Sequence, residues 1–233
     1  MHTIPGYTKS LRCVPFLQDL LTRSMPKRLA LVSSFGAESA VLLHMVSEID
    51  PATPVIFLNT GKMFQETLSY KYELVDRFKL SHVLDVHPEN TNLKQDDPNG
   101  RLWQNDPDQC CHIRKTLPLE RALSRHDGWI TGRKRFQTAK RQHISAIEQE
   151  NGKIKVNPLI DFTPQDITDY FSHYNLPRHP LYQKGYLSIG CETCTVRPSD
   201  PNDPRSGRWR HASEKTECGI HIVDGKIVRK NPG

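Results

Sequence analysis

Apolar and polar positions fall in short blocks along this chain. Arg28 to Val32, Pro54 to Leu58 and His82 to Val86 are brief apolar runs whose length and β-branched content predict buried strands. Helical spacing follows the first two, over Ala40 to Ile49 and Phe64 to Phe78, and a lead-in helix is predicted over Leu11 to Leu21. Gly128 to Thr131 and Lys153 to Val156 read as two further strands, the second paired as an edge hairpin with residues just before it. Gln109 to Ser124 has helical spacing, with Pro118 starting or kinking its second part. Thr163-Pro164-Gln165-Asp166 is a helix start with a hydroxyl cap, proline in the first position and an acid in the third; that helix is expected to reach about Tyr174.

Between these blocks the pattern weakens. His87 to Asp108 is rich in Asn, Asp and Pro and predicts a long surface loop, and Leu176 to Gly190 is a connection rich in Pro and Tyr. Beyond Cys194 prolines, glycines and charges predict an extended, mobile tail, ending in a frayed segment from Lys226 to Gly233. Strands alternating with helices predict the α/β class: a mainly parallel twisted sheet flanked by helices, with a mobile C-terminal tail. At 233 residues we expect one domain, divided into a lead-in at 1–27, a core at 28–195 and a tail at 196–233.

Ligands on parallel sheets bind at the carboxyl ends of the strands. Two loops fall there: Ser33-Ser34-Phe35-Gly36-Ala37-Glu38-Ser39 after the first strand, and Asn59-Thr60-Gly61 after the second. Hydroxyls and a glycine before a helix start can hold a phosphate on free N–H groups, though the same residues make an ordinary capped turn. After Thr131, the segment from Gly132 to Arg141 places Arg133, Lys134, Arg135, Lys140 and Arg141 at another strand end. Such density suits phosphate or sulfate, with a nucleic-acid patch as the competing reading.

Composition narrows the picture further. Mean hydropathy is −0.61, and no apolar run nears the roughly 18 residues of a membrane span. Met1 to Ser10 lacks the apolar core of a secretory signal, so a cytoplasmic location is expected. Net charge is +6, a moderate excess that fits either a small polyanion or nucleic acid. Six cysteines without an export signal point to metal ligands or reactive thiols before disulfides. Cys110 and Cys111, with Cys191 and Cys194 some eighty residues on, make a four-thiolate set suited to an iron–sulfur cluster or zinc. Lys115 lies about one turn past Cys111, where a cation would offset the thiolate charge. Cys13 has no partner motif and reads as a buried thiol, and Cys218 stands outside the four-cysteine set.

Several of these segments together resemble one family, the assimilatory adenylylsulfate (APS) reductases, relatives of the phosphoadenylylsulfate (PAPS) reductases. They are Ser33 to Ser39, Cys110-Cys111-His112-Ile113-Arg114-Lys115, Asn157-Pro158-Leu159-Ile160-Asp161, Gly185 to Cys191, Gly207-Arg208-Trp209 and Glu217-Cys218-Gly219-Ile220-His221. The resemblance runs from about Leu29 to His221 and implies an adenine-nucleotide α-hydrolase-like fold. It also implies one [4Fe-4S] cluster on Cys110, Cys111, Cys191 and Cys194, with Cys218 as a nucleophile that becomes an S-sulfonate and APS as the substrate. His221 and Lys115 are implied beside the chemistry. Ser33, Ser34, Phe35, Gly36, Ala37, Glu38, Ser39, Asn59, Thr60, Gly61, Gly132, Arg133, Arg135, Arg205 and Arg208 are implied as substrate contacts. Electrons are implied to come from thioredoxin or a glutaredoxin-like donor; no nucleic acid or membrane partner is expected, and a homo-oligomer is compatible. Asn59, Phe136 and Arg210 depart from residues common in the family. PAPS or dual-specificity reduction is the nearest alternative, with an ATP-dependent tRNA sulfur-insertion enzyme and a non-enzymatic metal-binding nucleic-acid module further off.

Overall fold

The computed structural model describes residues 5–200, 203–212 and 215–218, and only the backbone of residues 5–11. Six strands form one sheet: β1 (Leu29–Ser33), β2 (Val55–Leu58), β3 (Val83–Val86), β4 (Gly128–Ile130), β5 (Ile147–Glu150) and β6 (Lys153–Val156). Their order is β3-β2-β1-β4-β6-β5, parallel throughout except for the β5–β6 pair. That antiparallel pair turns on Asn151 and Gly152, both with positive φ, and is the predicted edge hairpin.

Central strands are apolar on both faces because helices cover both. Leu29 and Leu31 of β1 face a large cluster with α2 (Ser39–Ile49), α8 (Pro164–His173) and the lead-in helix α1 (Pro5–Asp19). Ala30, one residue out of step, faces the other side, where it joins Ile56, Trp129 and Leu119 and Leu123 of α7 (Leu117–Leu123). The Thr163 cap is observed with its reciprocal partner: the hydroxyl accepts from the Asp166 N–H and the Asp166 carboxylate accepts from the Thr163 N–H. Among the described residues no helix is long and apolar enough to cross a membrane.

Three segments differ from the sequence expectation. The 87–108 stretch holds two short helices, α4 (Asn90–Asp96) and α5 (Leu102–Asn105), closed by Asp97 accepting from the Leu102 N–H at 2.8 Å. The predicted helix over 109–124 is three pieces: α6 (Pro107–Cys111), a π-helical turn (His112–Thr116) and α7. The described tail is folded back rather than extended: the Val196 N–H donates to the Gly207 carbonyl at 2.9 Å, the Trp209 N–H to the Cys194 carbonyl at 3.1 Å, and Trp209 is 2% exposed. Gly207 is required there, since a Cβ would stand 2.1 Å from the Val196 carbonyl oxygen.

Candidate functional site

A cavity of about 500 Å³ opens at the carboxyl edge of β1 and β4. One wall is the 33–39 loop. The Phe35 N–H donates to the Ser33 hydroxyl at 3.2 Å and the Gly36 N–H to the Ser39 hydroxyl at 2.9 Å, which curls the loop over the start of α2. Phe35 itself is fully buried at φ 48°, edge-on to Phe57, and points away from the opening. A bulky side chain in left-handed backbone is costly and persists only where packing enforces it. Gly36 permits close approach by a neighbouring segment, because its Cβ would meet the Ile189 carbonyl oxygen at 3.1 Å.

The second wall is the basic loop after β4. Gly132, Arg133, Lys134 and Arg141 line the cavity. Their charges are largely answered: Arg133 pairs with Glu148, Lys134 with Glu38 at 2.8 Å and Arg141 with Glu217 at 2.6 Å. Burial lowers the Arg133 pKa despite Glu148. Arg135 turns out of the cavity, pairs with Asp161 and is about half exposed.

The third wall comes from the π-helical turn and the tail. Lys115, Arg205, Arg208, Cys191 and Cys218 all line the cavity. The Lys115 ammonium donates to the Cys218 sulfur at 3.3 Å. Burial works to lower the Lys115 pKa, but the sulfurs of Cys191, Cys218 and Cys111 outweigh it and hold it above its ordinary value. Cys218 is held well below the ordinary thiol value: the Cys111 thiol donates to its sulfur, burial opposes, and the Lys115 and Arg208 cations add to the lowering. Arg205 falls to about 10, through burial first and then Arg208. Arg208 stacks on Trp209 at 4.4 Å, and its buried Nε has no hydrogen-bond partner. Trp209 is at φ 50°, a second aromatic residue held in left-handed backbone beside the cavity.

Cys191 belongs to a set of four cysteines at this wall. Cys110, Cys111, Cys191 and Cys194 are buried and none is in a disulfide. Burial raises the Cys110 thiol to about 11, with Cys191 and Cys194 adding to the rise, and burial likewise raises Cys194. Among the described residues no three His, Cys, Asp or Glu side chains converge tightly enough to hold a single metal ion. π-Helical turns are rare and recur at functional sites; this one begins immediately after Cys111 and ends one residue past Lys115.

Asn59, Thr60 and Gly61 are not among the residues lining the cavity, and, of the three, Thr60 contacts sulfur. The Thr60 hydroxyl is 3.3 Å from the Cys191 sulfur, Met63 bridges Cys191, and the Asn59 side chain accepts from the Gly61 N–H. Arg114, not singled out from sequence, donates to the Thr60 carbonyl at 2.7 Å and to buried Asp97 at 2.5 Å, tying the π-helical turn to this loop. Lys134 and Arg141, read from sequence among the cations suited to phosphate or sulfate, are instead paired with Glu38 and Glu217, and no local pattern announces those partners. His221 lies outside the described residues.

Comparison with known proteins identifies the family of the chain. Residues 28–197 match the family model described as phosphoadenosine phosphosulfate reductase domain. A Mesorhizobium japonicum protein called adenosine 5'-phosphosulfate reductase is 49% identical over 195 residues, 83% of this chain and 76% of its own. One of that name from Bacillus thuringiensis is 41% identical over 191 residues, 81% of each chain. Among solved structures, a Candida auris phosphoadenylyl-sulfate (PAPS) reductase in a phosphate complex aligns with TM-score 0.59 and 25% identity, over 78% of this chain and 96% of that one. A Candida glabrata FMN adenylyltransferase aligns equally well (TM-score 0.59) at 13% identity, over 83% of this chain and 66% of its own, which speaks to fold alone.

Proposed function

This chain belongs to the phosphoadenosine phosphosulfate reductase family, and from that membership we propose that it reduces adenylylsulfate (APS) to sulfite and AMP in sulfate assimilation. One observation supports this above the rest: a single cavity joins the 33–39 anion loop, the Lys115 and Arg208 cations and the Cys218 sulfur.

The chemistry follows from those groups. The AMP phosphate rests on the Ser33–Ser39 hydroxyls and N–H groups, and the sulfate end lies toward Lys115 and Arg208. Attack by the Cys218 thiolate on the sulfate sulfur forms an S–S bond as the S–O bond to AMP breaks, and AMP leaves with that electron pair. Lys115 and Arg208 keep Cys218 as thiolate and screen it from an anionic substrate that would otherwise repel it. A thiolate of a dithiol donor, thioredoxin or a glutaredoxin-like protein, then attacks the Cys218 sulfur and expels sulfite. The donor's second thiol resolves the mixed disulfide, so the two electrons gained by sulfur come from one dithiol becoming one disulfide. The tail closes on the nucleotide for the first step and opens to meet the donor for the second.

The cysteine set fits a [4Fe-4S] cluster: such a cluster takes one thiolate per iron, and Cys110, Cys111, Cys191 and Cys194 offer four buried thiols, none of them in a disulfide. When bound, the cluster would supply charge that orients the sulfate end of the substrate. If Cys111 held the cluster, its hydrogen bond to Cys218 would give way, and Lys115 and Arg208 would remain to hold the nucleophile.

Incubating the protein with APS and no thiol donor tests the proposal. Mass spectrometry is expected to find one added SO3 on Cys218, and none in Cys218→Ser. An unmodified Cys218 peptide from iron-loaded protein would overturn it.

A further inference from the structure

Glu217, the residue before Cys218, is held by several partners at once. Arg141 grips Glu217 with two parallel hydrogen bonds, Nε to Oε1 and an Nη to Oε2, each 2.6 Å. The Thr138 hydroxyl donates to the same carboxylate at 3.0 Å, and Arg205 stands 3.9 Å from it. Both partners are nearly buried, with side chains 8% and 12% exposed. Such two-pronged pairing fixes orientation as well as distance. Surface ion pairs contribute little, but a desolvated one resists separation because either charge left alone is costly.

Arg141 is also the end of a chain of contacts that begins at the anion loop. The Glu38 carboxylate accepts from Lys134 at 2.8 Å and from the Gln137 amide at 3.1 Å; the Gln137 carbonyl oxygen in turn accepts from Arg141. Gln137 and Arg141 stand on the 3-10 turns Arg135–Gln137 and Ala139–Arg141, with Lys134 just before the first, so the two cavity walls and the tail meet at this guanidinium. Arg205 adds a second tie, donating to the Thr216 carbonyl at 2.8 Å.

We infer that Arg141, acting through Glu217, is a positioning residue that seats Cys218 in the cavity. The inference rests on Cys218 being the nucleophile. It assigns to Arg141 the tail carboxylate rather than the substrate as its partner, and to Glu217 the role of presenting the adjacent sulfur at the Lys115 ammonium. Without the pair, Cys218 would keep its chemistry and lose its place. Misplacement of a reacting atom by about 1 Å can cost about 100-fold in rate.

The test compares wild type, Glu217→Ala, Arg141→Glu and the swapped pair Arg141→Glu/Glu217→Arg. For Glu217→Ala and Arg141→Glu, single-turnover formation of the Cys218 S-sulfonate from saturating APS, without thiol donor, is expected to fall about 100-fold. AMP affinity of Glu217→Ala is expected to stay within about twofold, and the swap to recover at least about tenfold of the lost rate, which general damage to the fold would not allow. Amide hydrogen exchange over 215–218 is expected to speed up in both single variants and slow again in the swap. Wild-type rate and wild-type exchange in Glu217→Ala would overturn the inference. So would a loss of AMP affinity with an unchanged saturated rate, which would place Arg141 on the substrate. If wild type itself forms no sulfonate, the proposed reaction fails, while the exchange comparison still decides whether Arg141 seats the tail.

Discussion

Two groups of cations stand around this cavity, and they differ in electrostatic state. In the basic loop, Arg133, Lys134, Arg135 and Arg141 are paired with Glu148, Glu38, Asp161 and Glu217, leaving only exposed Lys140. Across the cavity, neither Lys115 nor Arg208 has a carboxylate within ion-pair distance among the described residues; Lys115 faces sulfur and Arg208 stacks on an indole. A count of charges in sequence ranks the loop first, but available charge ranks the other wall first. A paired guanidinium is part of the scaffold, and an unpaired one is held ready for an anion.

The largest effects that sharpen this contrast are expected at Lys115 and Arg208. Lys115→Met or Arg208→Met should lower kcat/KM for APS by about 100- to 1000-fold, the usual loss when one preorganised donor to a developing charge is removed. Steady-state kinetics of the iron-loaded variants check this. Losses within tenfold at both positions would remove the distinction between the two walls.

Burial without a partner of opposite charge sharpens it from the other side. His179 is fully buried, accepts from the Leu181 N–H at Nδ1 and lies 3.0 Å from the Thr67 hydroxyl at Nε2. Desolvation, opposed weakly by Glu66, lowers its pKa to about 4, whereas sulfur partners drive buried Lys115 the other way. Because the folded value lies below the unfolded value of about 6.5, the unfolded chain binds the extra proton first as pH falls. Stability is therefore full above pH 6.5 and is lost between 6.5 and 4, by about 3 kcal/mol. Denaturant melts across that range should show the loss, and His179→Gln, which cannot titrate, should flatten it.

The contrast also marks what could be read from sequence. Strands were legible almost to the residue because runs such as Val55 to Leu58 are buried on both faces and have no polar alternation to confuse them. The 33–39 loop and the four cysteines stood out as segments, and the structure puts the loop at the cavity and the cysteines in the buried interior. Short helices α4 and α5 were not, since four to seven residues give too little periodicity, and neither was the π-helical turn, whose extra residue leaves no trace in Cys-Cys-His-Ile-Arg-Lys. Ion pairing was the least legible feature. Glu38 and Lys134 are 96 residues apart and Arg141 and Glu217 are 76 apart, so neither partner can be named before the fold is known. The same is true of Thr60, which sequence placed with the nucleotide and the fold places against Cys191.

The smallest expected effect tests the contrast most directly, because it falls on a cation that the sequence placed in the substrate site. Arg135 pairs with Asp161 at the surface, with side chains 43% and 68% exposed, and also reaches the Ile144 carbonyl at 3.2 Å. An exposed pair gains little in high dielectric and is screened by salt, so Arg135→Gln should lower stability by no more than about 0.5 kcal/mol. Its kcat/KM for APS should stay within about twofold of wild type, since a guanidinium already turned to Asp161 and solvent removes no interaction made only in the transition state. Measuring Arg135→Gln beside Lys115→Met under one set of conditions reads the difference between the walls as a single ratio. A ratio near one would mean that proximity to the cavity mouth, not freedom from a carboxylate partner, decides which cations act on the substrate.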